Sequence, residues 1–225
     1  MDSIEQCVAL DSVDANVLRK WGSAWLDLTH TDSVLLARRN TPATAPNLFL
    51  RRALWESAVV SYGRVGQGNQ RRKIDLTALF AASGDPAASD FHDTIMQWRH
   101  GHVAHRADAA FETVDALLSI DAASEPSALR LVIQPEIGPQ DDAELAEKFR
   151  AHVYLMRNTI WKSFMEPLAI KLAEQARSRP TERDKTMPYP STSPEGFIAT
   201  LTLWAKPQPA ETIAPPSARP APTTS

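Results

Sequence analysis

Phe91-His92-Asp93-Thr94-Ile95-Met96-Gln97-Trp98-Arg99-His100-Gly101-His102-Val103-Ala104-His105-Arg106 is the stretch on which the reading of this chain turns. Its first half is a helix stripe, because Phe91, Ile95 and Trp98 recur at offsets of four and three. Its second half holds three of the six histidines of the chain between two arginines. Carried forward at roughly 100° per residue, the same helix puts His102 about on the axis of the stripe. Arg99 and His105 then fall about 60° to either side, and His100 points away. A core-facing stripe that becomes arginine and histidine within one element is either a structural hydrogen-bonded cluster or a site.

The surrounding pattern is helical. Val17, Leu18, Trp21, Trp25 and Leu28 predict a helical pattern from about Val13 to Arg39, with a break expected near Thr29 to Thr31, resumption through Val34, Leu35 and Leu36, and a stop at Thr41-Pro42 and Ala45-Pro46. A second helix is expected from about Pro46 to Arg64, with Phe49, Ala53, Leu54, Ala58 and Tyr62 on one side and Gly66 and Gly68 at its end. A short helical turn over Asp75 to Ala82 precedes Gly84, and Asp85-Pro86 opens the histidine helix, expected to reach His105. Phe111 to Ile120 and Leu129 to Ile133 read as a hairpin at about 111–134, joined by the polar run Asp121 to Ser127. Asp141-Asp142 then leads the longest helix, to Arg177, along which Leu145, Phe149, Val153, Met156, Ile160, Phe164 and Leu168 keep a helical period. Acids at its start and Lys171 and Arg177 at its end suit the macrodipole.

From Ser178 the composition shifts. Ten of the 17 prolines lie between Pro180 and Pro222, among Ser, Thr and Ala. That composition predicts a disordered tail over 178–225, interrupted by one apolar island, Gly196 to Trp204. The expected architecture is mainly α: a bundle of four or five helices over 1–177, a small β-hairpin and the tail.

Composition excludes several classes. The apolar fraction of 43% is that of a globular protein, and no apolar run approaches a membrane span. The opening Met1-Asp2-Ser3-Ile4-Glu5 is acidic where a secretory signal is basic, so a cytoplasmic protein is expected. Cys7 is the sole cysteine, which rules out an intrachain disulfide and a cysteine metal cage. The net charge of −3 conceals a basic segment: Arg38, Arg39, Arg51, Arg52, Arg64, Arg71, Arg72 and Lys73 stand against one acid, Glu56. Such a segment points either to a polyanionic partner or to arginines that are solvated or paired elsewhere.

Other chemistries fit poorly. On a helix His100 is roughly 160° from His102, and no nearby carboxylate completes a ligand set, so no metal and no cofactor is expected. Gly63, Gly66 and Gly68 follow a helix rather than a strand and read as a helix stop, not a dinucleotide loop. Trp21, Trp25, Trp55, Trp98 and Trp161 lie mostly at core offsets.

Arg99, the polar His100 after it, and His105 beyond five intervening residues resemble the motif of HEPN-domain proteins. These are all-helical domains of toxin–antitoxin, abortive-infection and CRISPR-associated systems. Ala104-His105-Arg106 is similar to the motif ending of one uncharacterised, abortive-infection-like branch. Ser61-Tyr62-Gly63-Arg64 followed by Arg71-Arg72-Lys73 resembles the upstream block of that branch, although Val65 stands where a bulky or aromatic residue is expected. The resemblance spans roughly Leu48 to Gly138. It implies a metal-independent endoribonuclease acting as a homodimer, with RNA as substrate and an antitoxin or other protein as partner. In that reading His105 is the base, Arg99 the phosphate clamp and His102 the assisting acid, while Arg64, Arg71, Arg72 and Lys73 hold the RNA backbone. Histidine titrates near neutrality and arginine carries rigid donors, so the residue types suit metal-free RNA cleavage. The reading from a different class is a non-catalytic helical interaction module that binds a protein or nucleotide partner.

Overall fold

The computed structural model describes residues 6–66, 72–104, 112–120, 126–135, 138–139, 144–178, 186–188 and 201–205. Its backbone is mainly helical with a small antiparallel hairpin, as the patterning predicts. Helix α1 (Val13–Asn40) starts at Ser12, whose hydroxyl accepts from the Ala15 N–H at 3.1 Å. It runs unbroken through Thr29 and Thr31, whose hydroxyls donate to the carbonyls of Trp25 and Asp27 one turn back. Helix α2 (Leu48–Arg64) returns against it, followed by α3 (Leu76–Ser83), capped by Asp75 and closed by the left-handed Gly84. Then come α4 (Ala88–Trp98), the hairpin β2 (Glu112–Ile120) and β3 (Pro126–Pro135), and α5 (Glu144–Thr159). A π-helical turn, Ile160–Met165, joins α5 to α6 (Glu166–Arg177) in one helical rod. The short strands β1 (Gln6–Val8) and β4 (Thr186–Pro188) pair antiparallel, so one piece of the proline-rich region is tied to the start of the chain.

The core lies where α1, α2 and the α5–α6 rod meet. Leu28 and Leu35 of α1, Trp55, Val59 and Tyr62 of α2, Ile95 of α4, and Phe149, Val153 and Met156 of α5 are buried together. Trp55 stands at its centre, edge-on to Trp98 at 5.3 Å and to Phe149 at 5.8 Å. Trp21 stacks on Phe164 at 3.9 Å, and the Asp32–Arg157 and Asp14–Lys171 ion pairs fasten α1 to the rod. Leu203 of the apolar island packs against this core, and the Arg177 guanidinium sits 4.9 Å over the Trp204 ring.

Three expectations need correction. Phe49 is 73% exposed and Ala53 is exposed, so the buried face of α2 is carried instead by Arg51, Trp55, Ala58, Val59 and Tyr62. Trp55, Ala58, Val59 and Tyr62 recur at offsets of three and four, and Arg51 on the same face donates its guanidinium to the carbonyls of Arg38 and Thr41. Three of the eight basic residues are likewise not free surface: Arg51 is buried, Arg38 is buried against Trp55 and donates to the Pro139 carbonyl, and Arg52 pairs with Glu56 at 2.8 Å. Finally, α4 does not continue as an α-helix. Arg99–Ala104 is a π-helical turn, which inserts about one residue into the α repeat. Val103, five positions after Trp98, packs against the core with it.

Candidate functional site

Arg99 is placed by two neighbouring elements. Its backbone opens the π turn just after Trp98, which the tryptophan pair holds against the core. Its side chain crosses α2 at Gly63. A methyl group built on Gly63 would stand 2.7 Å from the Arg99 Nε and 3.3 Å from its Cζ, closer than such atoms pack. Gly63 is buried in the last turn of α2, so this glycine provides room for an arginine from another helix. The two blocks Ser61-Tyr62-Gly63-Arg64 and Arg99–Ala104, which lie some 35 positions apart in the chain, therefore touch.

Arg64 and Arg72 are both exposed and border one cleft of about 230 Å³ with Ser23, Ala24, Asp27 and Val65. Burial raises the Asp27 carboxyl above its usual range, against the pull of Arg64, Arg72 and His30. Lys73 lies in an adjoining open cleft of about 670 Å³ with Lys20, Asp75 and Thr77. Arg64, Arg72, Lys73 and Lys20 thus gather at the end of α2 facing α1. His100 is exposed, as expected for the residue that points away. The backbone of His102 belongs to the π turn, while its side chain, Arg71 and His105 lie outside the described residues. Among the described residues no three His, Cys, Asp or Glu side chains converge as metal ligands.

The structure also assembles a cluster that the sequence reading missed. The Tyr62 hydroxyl lies 2.7 Å from His152 Nε2 and 2.9 Å from His92 Nδ1, with Phe80, Phe91 and Phe149 around the three rings. One hydroxyl hydrogen serves two rings, so Tyr62 donates to one imidazole and accepts from the other. Burial raises the tyrosine pKa far above its ordinary value. Burial, helped by the nearby His92 and opposed by Asp85, lowers His152 to about 4. Burial also lowers His92, against Asp93. All three groups are neutral at pH 7. His152 borders a cleft of about 440 Å³ with Phe91, Asp90, Thr94 and Lys148. A signal existed: His152 sits between Phe149 and Val153 on the apolar stripe of α5, where an unpaired imidazole would not be tolerated.

No family model, curated protein or solved structure matches this chain.

Proposed function

We propose that the chain is a metal-independent endoribonuclease of HEPN type, with Arg99 at the centre of its site. What supports the reading is one contact: Arg99 rests on Gly63 beside Arg64, so the two sequence blocks that resemble the family adjoin in space. In the proposed reaction the His105 imidazole takes the proton of a ribose 2′-hydroxyl. The freed oxygen attacks the adjacent phosphorus, the bond to the 5′-oxygen breaks, and His102 returns a proton to that oxygen. Arg99 neutralises the charge that builds on the phosphorane oxygens. Arg64, Arg71, Arg72 and Lys73 hold the flanking backbone, with Lys20 added to them by the fold. A homodimer would place two copies of these groups along one RNA, and an antitoxin or other protein would act as its counterpart.

The test is incubation of purified protein with tRNA and with an unstructured RNA in EDTA, followed by analysis of the product ends. Cleavage to 2′,3′-cyclic ends that disappears in Arg99→Ala and His105→Ala supports the reading. One observation favours the second reading, a non-catalytic interaction module: the Arg99 side chain is half-buried along α2, as a structural clamp would be. Under that reading the wild type leaves RNA intact and Arg99→Ala is simply less stable.

A further inference from the structure

We propose that the cleft between α1 and the end of α2 is a guanine pocket, in which the Asp27 carboxylate reads the base of one guanosine and Arg64 and Arg72 hold the phosphate attached to it. The inference rests on the RNA reading above and adds a base preference to it. Its basis is the lining of the cleft. Ser23 and Asp27 lie one turn apart on α1 and share the face that borders it, while Arg64, Val65 and Arg72 close the other side. Ala24 and Val65 are buried and apolar, Asp27 is half-buried, and both arginines are exposed at the mouth. Among the described residues the Asp27 carboxylate has no hydrogen bond and no ion pair. Arg64 and Arg72 act on it only through space, and burial outweighs their pull. Two acceptor oxygens are thus drawn out of water with no donor supplied by the chain.

The ligand follows from what such a carboxylate requires. Ionised, it accepts two parallel hydrogen bonds and donates none. Of the RNA bases only guanine carries two adjacent donors on its pairing edge, N1–H and the N2 amino group. Adenine and cytosine set a ring-nitrogen acceptor beside their amino group, and uracil has a single N–H between two carbonyls. Each of these three would turn a lone pair on the carboxylate. Ser23, one turn away on the same face, offers a hydroxyl donor for the guanine O6, and Ala24 and Val65 give the base an apolar lining. The volume, about 230 Å³, lies below the roughly 300–1,000 Å³ of sites for drug-sized ligands and suits one base. At the mouth the two guanidinium groups supply the charge and the rigid donors that a phosphate takes. Arg64 follows Gly63, the seat of Arg99, so the pocket stands beside the proposed cleavage site.

The test is calorimetric titration of the full chain with 5′-GMP, 5′-AMP, 5′-CMP and 5′-UMP, and with a uridine oligomer that holds one guanosine beside its all-uridine counterpart. 5′-GMP should bind about 10- to 100-fold more tightly than the other mononucleotides, the discrimination usual for a bidentate contact to a base. The oligomer with guanosine should likewise outbind the one without. A preference among the mononucleotides that is absent from the oligomers overturns the RNA assignment and leaves the pocket to free guanine nucleotides. Asp27→Asn presents one acceptor and one donor. It should lose the guanine preference and gain one for xanthosine 5′-monophosphate, whose N1–H and C2 carbonyl complement that pair, a gain that no loss of fold produces. Arg64→Ala should weaken all four mononucleotides alike. Equal affinities in the wild type, no binding of any nucleotide, or a guanine preference that survives Asp27→Asn overturns the proposal. The readout is binding, so it separates this inference from the ribonuclease reading. Guanine bound by a protein that leaves RNA intact removes only the nuclease, and RNA cleaved without any guanine preference removes only the pocket.

Discussion

Gly63 and Arg99 form the contact on which the proposed site depends, and they can be separated by one methyl group. Alanine is the better helix former by about 0.5–1 kcal/mol, so Gly63→Ala should leave thermal stability within about 1 kcal/mol of the wild type. The added carbon would still push the Arg99 side chain off α2. Cleavage should therefore fall by about 10²-fold, the usual loss when a preorganised donor is displaced. Equal activity in this variant would show that the seat of Arg99 does not matter. His152 makes a separate prediction. Its unfolded imidazole titrates near 6.5 and its folded one at about 4, so the unfolded state binds more protons between those values. Stability is fully present above about pH 6.5 and is lost progressively as pH falls toward 4, by about 3 kcal/mol in all. Denaturant midpoints from pH 7.5 to 4.5 measure this, and His152→Gln, which keeps a partner for Tyr62, should flatten the slope. The Gly63–Arg99 contact was not legible in the chain, whereas His152 left a signal in its place on the apolar stripe of α5. Both depend on which side of α2 turns inward, and the stripe of Trp55, Ala58, Val59 and Tyr62, with Arg51 reaching back to the end of α1 from the same face, sets that side.

At the scale of elements, patterning succeeded where it rests on long stripes and turn residues. The α1 stripe, the Thr41-Pro42 stop, the hairpin and the long α5–α6 rod all follow from periodicity, capping and breakers. It failed at the π turn after Trp98. An extra residue in a helix leaves composition unchanged and shifts only the phase, and that phase became visible only when Val103 packed on the core. The turn is a testable device. A variant lacking the exposed His100 restores the α repeat, so Val103 keeps a core-facing place four positions after Trp98. That variant should fold with at least wild-type stability by circular dichroism and thermal melting. It also shortens the Arg99–His105 spacing by one residue and rotates the two by about 100° relative to each other. RNA cleavage should be lost, and retention at the wild-type rate would show that this phase is irrelevant to the chemistry.

For the whole molecule, the decisive quantity is how much of the basic segment reaches solvent. Arg38 and Arg51 spend their charge inside the helical body and Arg52 is matched by Glu56, which leaves Arg39, Arg64, Arg72 and Lys73 exposed among the described residues. RNA affinity should therefore depend on salt only modestly. The slope of log K against log salt should weaken by about 0.7 for each of Arg64→Ala and Arg72→Ala on single-stranded RNA. Unchanged slopes would remove both residues from the interface. The most direct test of the account is the rate of RNA cleavage in EDTA by wild type, Arg99→Ala and His105→Ala, with each variant first shown to melt like the wild type. The account predicts cleavage that leaves 2′,3′-cyclic ends and drops by 10²-fold or more in each variant. Intact RNA with the wild type, or equal rates in all three proteins, would contradict it.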